Sequence, residues 1–361
     1  MPLKDAIQRG QSEDAQRRLR SLEVARDDAK AEARLLRAEL RSAWAENQRM
    51  RSSLSLLQGE GSPHSPWLVK NRNSSHHAIV MSVFSDAHIG EVVQPTAMNG
   101  YNKFDVPIAR LRVKRFFTNQ LTLTRTFFKG LRYDGAVLAI PGDVVSGGIH
   151  DELRETDALS VDESCEVALD WIGDGIKTLE GEFGKVDVFI VPGNHGRWGA
   201  YKKMPAKRVA TTNADTHIGR LLKRDFRNNR HVNITVAEGA SLDFQVYNTR
   251  FRMEHFYQAK GGTGISAAMA PLLLRLHRQR RVADAEGTPF DVLLGGHFHQ
   301  LIFTPSQGLI VNGSIKGYDE YARDHAFAPE VPQQAFFMVT PENGITFPAP
   351  LFVANRKQEG W

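Results

Sequence analysis

The stretch Val292-Leu293-Leu294-Gly295-Gly296-His297-Phe298-His299 decides how the chain is read. A short apolar run enters two glycines, the mark of a buried strand ending in a turn. The turn then delivers two histidines at i and i+2. At the carboxyl end of a core strand, two such imidazoles can face one small site. Imidazole suits zinc, iron, copper and nickel. A lone His-x-His is a modest signal, since most histidines are satisfied core or surface residues. Its weight depends on whether other strands end in the same way.

Four others do. From residue 78 onward strand-like and helix-like segments alternate, which predicts an α/β domain. The strand at 78–84 ends in Ser85-Asp86-Ala87-His88. The strand at 136–140 ends in Pro141-Gly142-Asp143. The strand at 186–191 ends in Pro192-Gly193-Asn194-His195, and the strand at 251–254 delivers His255. Helices are expected at 108–128, 161–179, 216–227 and 265–281. Further short strands are expected at 233–236, 242–246, 301–304, 309–311, 335–339 and 345–353. In open α/β sheets, sites assemble at the carboxyl ends of strands. The donors gathered there are mixed nitrogen and oxygen ligands, of the kind that hold two divalent cations. Two metals ~3.5–4 Å apart are a standard arrangement for phosphate ester hydrolysis. A bridging carboxylate between them must come from a single residue. Asp143, alone on its loop after Gly142, is the candidate.

The order Asp86-x-His88, Gly142-Asp143, Gly193-Asn194-His195, His255, Gly296-His297-x-His299 resembles the calcineurin-like metallophosphoesterase superfamily over roughly residues 78–315. The resemblance implies a two-sheet sandwich flanked by helices, with a dinuclear site at one edge. It implies that Asp86, His88 and His299 hold one metal, that Asn194, His255 and His297 hold the other, and that Asp143 bridges. His195 would not ligate but would act near the leaving group, as general acid or transition-state stabiliser. The expected cofactors are two divalent ions, manganese first, with iron(II), zinc or magnesium as alternatives. His150, His217, His231, His277 and His325 fall outside the motifs and read as structural.

Departures narrow the substrate. The protein Ser/Thr phosphatases of this superfamily follow Gly-Asp with Val-Asp-Arg-Gly, and place Arg before Gly-Asn-His and Glu after it. Here Gly142-Asp143 runs into Val144-Val145-Ser146-Gly147-Gly148, and Pro192 and Gly196 flank the third motif. A protein phosphatase is therefore disfavoured. The double-strand-break repair nucleases usually carry Asp where Gly196 stands. A glycine that often follows the fourth-motif histidine is replaced by Phe256.

Composition sets the outer bounds. The chain has 361 residues, 41% hydrophobic and 24% charged, with no apolar run long enough for a membrane span. The first residues are too polar for a secretory signal, and Cys165 is the only cysteine, so a reducing, cytoplasmic setting is expected. Cys165 lies in a helical stretch and reads as a small buried thiol.

Residues 1–57 hold no proline beyond Pro2. Apolar residues recur every seven positions at Ala15, Leu22, Ala29, Leu36, Ala43, Met50 and Leu57. A second series runs Leu19, Arg26, Ala33, Leu40, Asn47 and Leu54. This 3.5-residue period predicts a coiled-coil arm for a homo-oligomer or a helical partner. Gly- and Pro-bearing residues 58–77 read as a linker, and 78–361 as the metallophosphoesterase domain.

The formal charge of +5 is uneven. Residues 197–230 carry 10 Lys/Arg against 2 Asp/Glu. Arg197, Lys202, Lys203, Lys207 and Arg208 follow the third motif directly, with Trp198 and Tyr201 interleaved. Cations neutralise phosphates, and aromatics stack on bases of a single strand. These seven residues are the expected nucleic-acid contacts. The function expected is a metal-dependent phosphodiesterase on nucleic acid, DNA ahead of RNA, as an exo- or endonuclease. The enzymatic rival is a nucleotide or small-diester phosphohydrolase. A coiled-coil adaptor with a non-catalytic metal domain is the third reading, and the full donor set argues against it.

Overall fold

The computed structural model describes residues 76–361, except 150, 199–205 and 260–268. The coiled-coil arm, the linker up to residue 75, His150, Tyr201, Lys202, Lys203 and the expected start of the helix at 265 lie outside the described residues. β1 (His76–Val83) begins two residues before the domain start expected at 78.

β1 alternates its side chains between two cores. Ala78, Val80 and Phe84 face one hydrophobic cluster, and Ile79, Met81 and Val83 face another. β2 (Leu131–Ile140) and β3 (Val186–Ile190) divide their apolar residues in the same way. Burial on both faces suits the near-continuous apolar runs of a parallel sheet. β1, β2, β3 and β4 (Val232–Val236) are parallel neighbours. β10 (Gln333–Thr340) and β11 (Gly344–Phe352) extend the sheet antiparallel, giving the order β11-β10-β1-β2-β3-β4.

The second sheet has the order β5-β6-β7-β9-β8. It comprises β5 (Ser241–Val246), β6 (Thr249–Glu254), β7 (Val292–Gly295), β8 (Ile302–Thr304) and β9 (Leu309–Val311). Phe244, Phe251, Met253, Leu294 and Ile310 from this sheet meet Met81, Val137, Phe337 and Val339 from the first. That apolar layer joins the two sheets.

Helices cover the outer faces. On the first sheet lie α1 (Val106–Thr122), α3 (Val161–Phe183) and α4 (Ala214–Asp225), with the short α2 (Asp151–Thr156) between them in sequence. On the second lies α5 (Met269–Glu286), through Leu272, Leu276 and Ala283. α6 (Glu320–Asp324) and α7 (Arg356–Glu359) are single turns. Polar caps set the starts. The Asp105 carboxylate accepts the Ile108 amide at 2.9 Å, Ser160 and Glu163 form a capping box on α3, and Asn213 caps α4. The helix expected over 108–128 changes character at 122 and closes in a π-type turn, Leu123–Phe127. The Thr124 hydroxyl donates back to the Gln120 and Leu121 carbonyls there, a habit of threonine that perturbs helices.

The two-sheet sandwich flanked by helices is thus the architecture of the described chain. Cys165 is buried in α3, where burial pushes its thiol up to about 12, as a packing residue requires. Among the described residues no helix is long and apolar enough to cross a membrane.

Candidate metal centre

The parallel strands β1, β2 and β3 end along one edge of the first sheet. β6 and β7, also parallel, end along one edge of the second. The five motifs sit on these ends, and the two edges meet. The His297 amide donates to Asp86 Oδ1 at 2.9 Å, and His299 Nε2 lies 3.3 Å from the same oxygen. His255 Nε2 lies 2.7 Å from Asp143 Oδ2.

Two three-donor groups result. The ligand atoms of Asp86, His88 and His299 lie within 4.8 Å of one another, and so do those of Asp143, His255 and His297. His88 and His299 face each other through their Nε2 atoms at 3.2 Å. A third group links the two, since donors of His88, Asp143 and His195 also lie within 4.8 Å. Each of the first two groups draws on both sheets. Asn194 comes from the loop after β3, and its Oδ1 is buried without a hydrogen-bond partner.

The loops that carry these groups are closely fitted. Gly142 has φ of +97°, and a Cβ there would lie 2.3 Å from the Gly193 nitrogen. Backbone of the second and third motifs therefore touches where no side chain fits. Five donors themselves have left-handed backbone: Asp86 (φ 52°), His88 (45°), Asp143 (52°), His297 (77°) and His299 (54°). Such residues cost about 1–3 kcal/mol each and persist only where the surroundings over-determine them.

Hydrogen bonds fix the ring orientations. His255 Nδ1 lies 2.7 Å from the Pro141 carbonyl, which can only accept. Nδ1 therefore keeps its proton, while Nε2 carries a second proton facing Asp143 in the metal-free ring and offers the lone pair a metal ligand needs once that proton is lost. His195 Nδ1 meets the Ser146 carbonyl at 2.7 Å, and its amide donates to Asp143 Oδ1 at 2.7 Å. Burial alone would lower the His255 pKa, but Asp143 and Asp86 raise it to about 9. Burial and the neighbouring His255 push His297 down to about 4, and burial pushes His195 down to about 3. Burial would raise Asp143, yet His255 and His195 hold it well below the usual carboxylate range.

The residues present fit divalent cations. An orphaned buried amide oxygen and two paired carboxylate–imidazole contacts form a mixed nitrogen and oxygen donor set. The five sequence motifs thus meet in one place, as the resemblance drawn from the sequence implies.

Several supporting residues escaped the sequence reading. Asn312 donates to Ser85 Oγ and to Gln334 Oε1, each at 2.8 Å, and Ser85 in turn donates to Asp86 Oδ2. Glu91 lies one helical turn's spacing after His88, with Oε2 3.3 Å from His88 Nδ1. Its carboxylate also pairs with the buried Lys316 at 2.8 Å, and Lys316 pairs with Asp319. Burial would raise Glu91, but Lys316 and His88 hold it well below the usual range. The buried Asp215 accepts from the amides of Asp143, Val144 and Gly193 at 3.1, 2.9 and 2.8 Å. Glu91 with His88, Ser85 with Asp86 and Lys316 with Asp319 are local pairs; the remaining contacts are long-range.

The expected nucleic-acid contacts are mixed. Lys207 and Arg208 are exposed. Arg197 is half-buried and donates to the Asn194 carbonyl at 3.0 Å, which brings it to the third motif. Trp198 is engaged in packing rather than presented for stacking. Its ring abuts the helix-side core and meets His217 edge-on at 5.1 Å.

No protein-family model and no curated protein matches the chain. Among solved structures it is similar to a dimetal phosphatase from Danio rerio, at 11% identity and a TM-score of 0.34, covering 76% of this chain and 99% of that one. It is also similar to YfcE, a phosphoesterase from E. coli, at 13% identity and 0.29, covering 76% and 100%. A third is wild-type Vps29 complexed with zinc from Entamoeba histolytica, at 13% and 0.29, covering 76% and 99%. Likenesses at these TM-scores carry no functional information.

Proposed function

We propose that the chain is a dinuclear metal-dependent phosphodiesterase acting on nucleic acid, DNA ahead of RNA. One observation carries the phosphoesterase part: two three-donor groups lie side by side, and His195 joins them through His88 and Asp143 within 4.8 Å. In this reading Asp86, His88 and His299 hold one ion. Asn194, His255 and His297 hold the other, and Asp143 bridges. Manganese is the ion proposed. When bound, such ions supply neutralisation of the phosphate and acidification of a water.

His195 handles the leaving group. With Nδ1 committed to Ser146, the neutral ring has no proton to give at Nε2. A donor role therefore requires the ring to gain a proton as the anionic ester arrives. His195→Ala is expected to lower kcat about 10²–10⁴-fold on an unactivated diester. The loss should be much smaller on a p-nitrophenyl diester, whose leaving group needs no proton, and metal content should stay unchanged. Equal loss on both substrates would assign His195 to charge stabilisation instead.

The nucleic-acid part rests on the charge of residues 197–230, with 10 Lys/Arg against 2 Asp/Glu beginning two residues after His195. The packing of Trp198 favours the rival, a small-diester phosphohydrolase, because it removes one of two candidate stacking rings. A cleavage assay with manganese separates them, comparing single-stranded DNA, duplex DNA, RNA and a chromogenic diester, with a chelator control. DNA cleavage should weaken steeply with salt. Reversal of Lys202, Lys203, Lys207 and Arg208 to Glu should abolish it while sparing the small diester. Activity confined to the small diester would sink the nucleic-acid reading.

A further inference from the structure

Asp215 sits in the first turn of α4, twenty residues after His195, and belongs to none of the five motifs. Its carboxylate is fully engaged with backbone. Oδ2 accepts from the amides of Asp143 at 3.1 Å and Gly193 at 2.8 Å, and Oδ1 accepts from Val144 at 2.9 Å. One side chain thus spans the second and third motifs. Asn213 reinforces it: its side-chain amide donates to the Gly193 carbonyl at 2.8 Å, and its Oδ1 accepts the Asp215 amide at 2.9 Å. The Ala214 amide donates to the Gly196 carbonyl at 2.6 Å. Asn213, Ala214 and Asp215 are all buried.

Gly196 shows why this carboxylate arrives from so far away. Its φ lies outside the left-handed range, so its backbone does not demand glycine. Space does. A Cβ on Gly196 would lie 2.8 Å from both Asp215 Oδ2 and Asn213 Oδ1, and 3.1 Å from Asp215 Cγ. The Asp215 carboxylate occupies the volume into which an acidic side chain at position 196 would project. The absence of an acid after Gly193-Asn194-His195 thereby gains a physical account.

We propose that Asp215 is a positioning residue that holds Asp143 and the Gly193–His195 loop in register for metal binding, in the place an acidic residue at 196 would fill. The three amides it accepts would otherwise be buried without partners, which costs more than the bonds themselves contribute. Removing it leaves every ligand in the chain but takes away three of the bonds that hold the two loops against each other. This inference rests on the metal-ligand assignment proposed above.

The test is a charge relocation read by metal binding to the full-length apo protein. Manganese and zinc titrations by calorimetry would be made on the wild type, Asp215→Ala, Gly196→Asp, and the double variant Gly196→Asp/Asp215→Ala. Supporting partners of metal ligands typically contribute 10–100-fold in affinity, and a loss of about that size is expected for Asp215→Ala. Gly196→Asp alone should also weaken binding, since two carboxylates then compete for one volume. The double variant should recover part of the affinity, since Asn213 Oδ1 still crowds position 196, and even a partial recovery is more than a merely structural loss at 215 would allow. Wild-type affinity in Asp215→Ala overturns the proposal. So does a double variant that fails to recover binding, whether or not it folds. A wild type that binds neither ion would instead refute the ligand assignment.

Discussion

Replacing Asp143 by Asn is expected to reduce hydrolysis by about 10³-fold or more and to lower the number of ions bound. The substitution is nearly isosteric, so the effect isolates charge. Asp143 Oδ1 accepts the His195 amide at 2.7 Å, and an asparagine oxygen can keep that bond. Oδ2 faces His255 Nε2 at 2.7 Å. Without the Asp143 charge that holds it protonated, the His255 ring loses its Nε2 proton; with Nδ1 committed to Pro141, Nε2 then accepts, and an asparagine N–H can donate to it. The apo fold should therefore persist, and thermal unfolding in chelator should change little. What disappears is the buried carboxylate that belongs to one three-donor group and, with His88 and His195, to the group that links it to the other. Metal content by mass spectrometry and rates on a chromogenic diester check the result. Undiminished hydrolysis would refute the dinuclear mechanism.

The second large effect is on stability. Arg112 of α1 is fully buried. Its guanidinium donates to Glu359 Oε1 and Oε2 at 3.3 and 3.1 Å, to the carbonyls of Ile315 and Lys316, and to Asn102 and Lys103. Glu359 in α7 also receives Arg115, the Trp361 indole and the Asn355 amide. The Ile315 amide in turn donates to the Asp86 carbonyl, so this pair braces the segment beneath the first motif. Glu359→Gln leaves Arg112 charged and uncompensated, and should cost about 3–5 kcal/mol. A Tm decrease on the order of 10 °C follows. Arg112→Met with Glu359→Leu should cost less than either single change, as a double-mutant cycle would show. The pH dependence has a definite sign. Burial would raise the Glu359 pKa, but Arg112 holds it below the usual value of 4.5. Its contribution is present above that value and is lost as pH falls through the lower folded pKa, so the gap between wild type and Glu359→Gln should close in acid. An unchanged gap at low pH would show that the pair does not supply the difference.

Much of this was legible in the sequence because its signals are local. Apolar runs ending in Gly-Asp, Gly-Asn-His and Gly-His-x-His mark strand ends directly, and the strand positions followed from them. The helix start expected at 161 matches α3, where the structure shows Ser160 and Glu163 forming a capping box, while its end at 183 lies beyond the expected 179. The π-type turn after Thr122 was not legible, since it depends on how Thr124 bonds backward. Nor was the role of Trp198, whose neighbours make it a stacking candidate while its tertiary contacts make it core. Asp215 reads in sequence only as an acid in the first turn of a helix. Lys316 reads only as a loop lysine. Each acquires its role from partners tens or hundreds of residues away, which no spacing rule encodes.

The division of the donors between the two sheets has a thermodynamic corollary. Asp86 and His88 belong to one leaf and His299 to the other; Asp143 belongs to one leaf, His255 and His297 to the other. Neither of these two groups is complete from one leaf alone, although His88, Asp143 and His195 all come from the first, so the centre resembles a shared site at a dimer interface, folded into one chain. Cohesion between the leaves and occupancy of the centre are then a single linked equilibrium. At a free-ion concentration a hundredfold above Kd, one such ion adds about 2.7 kcal/mol to the closed sandwich.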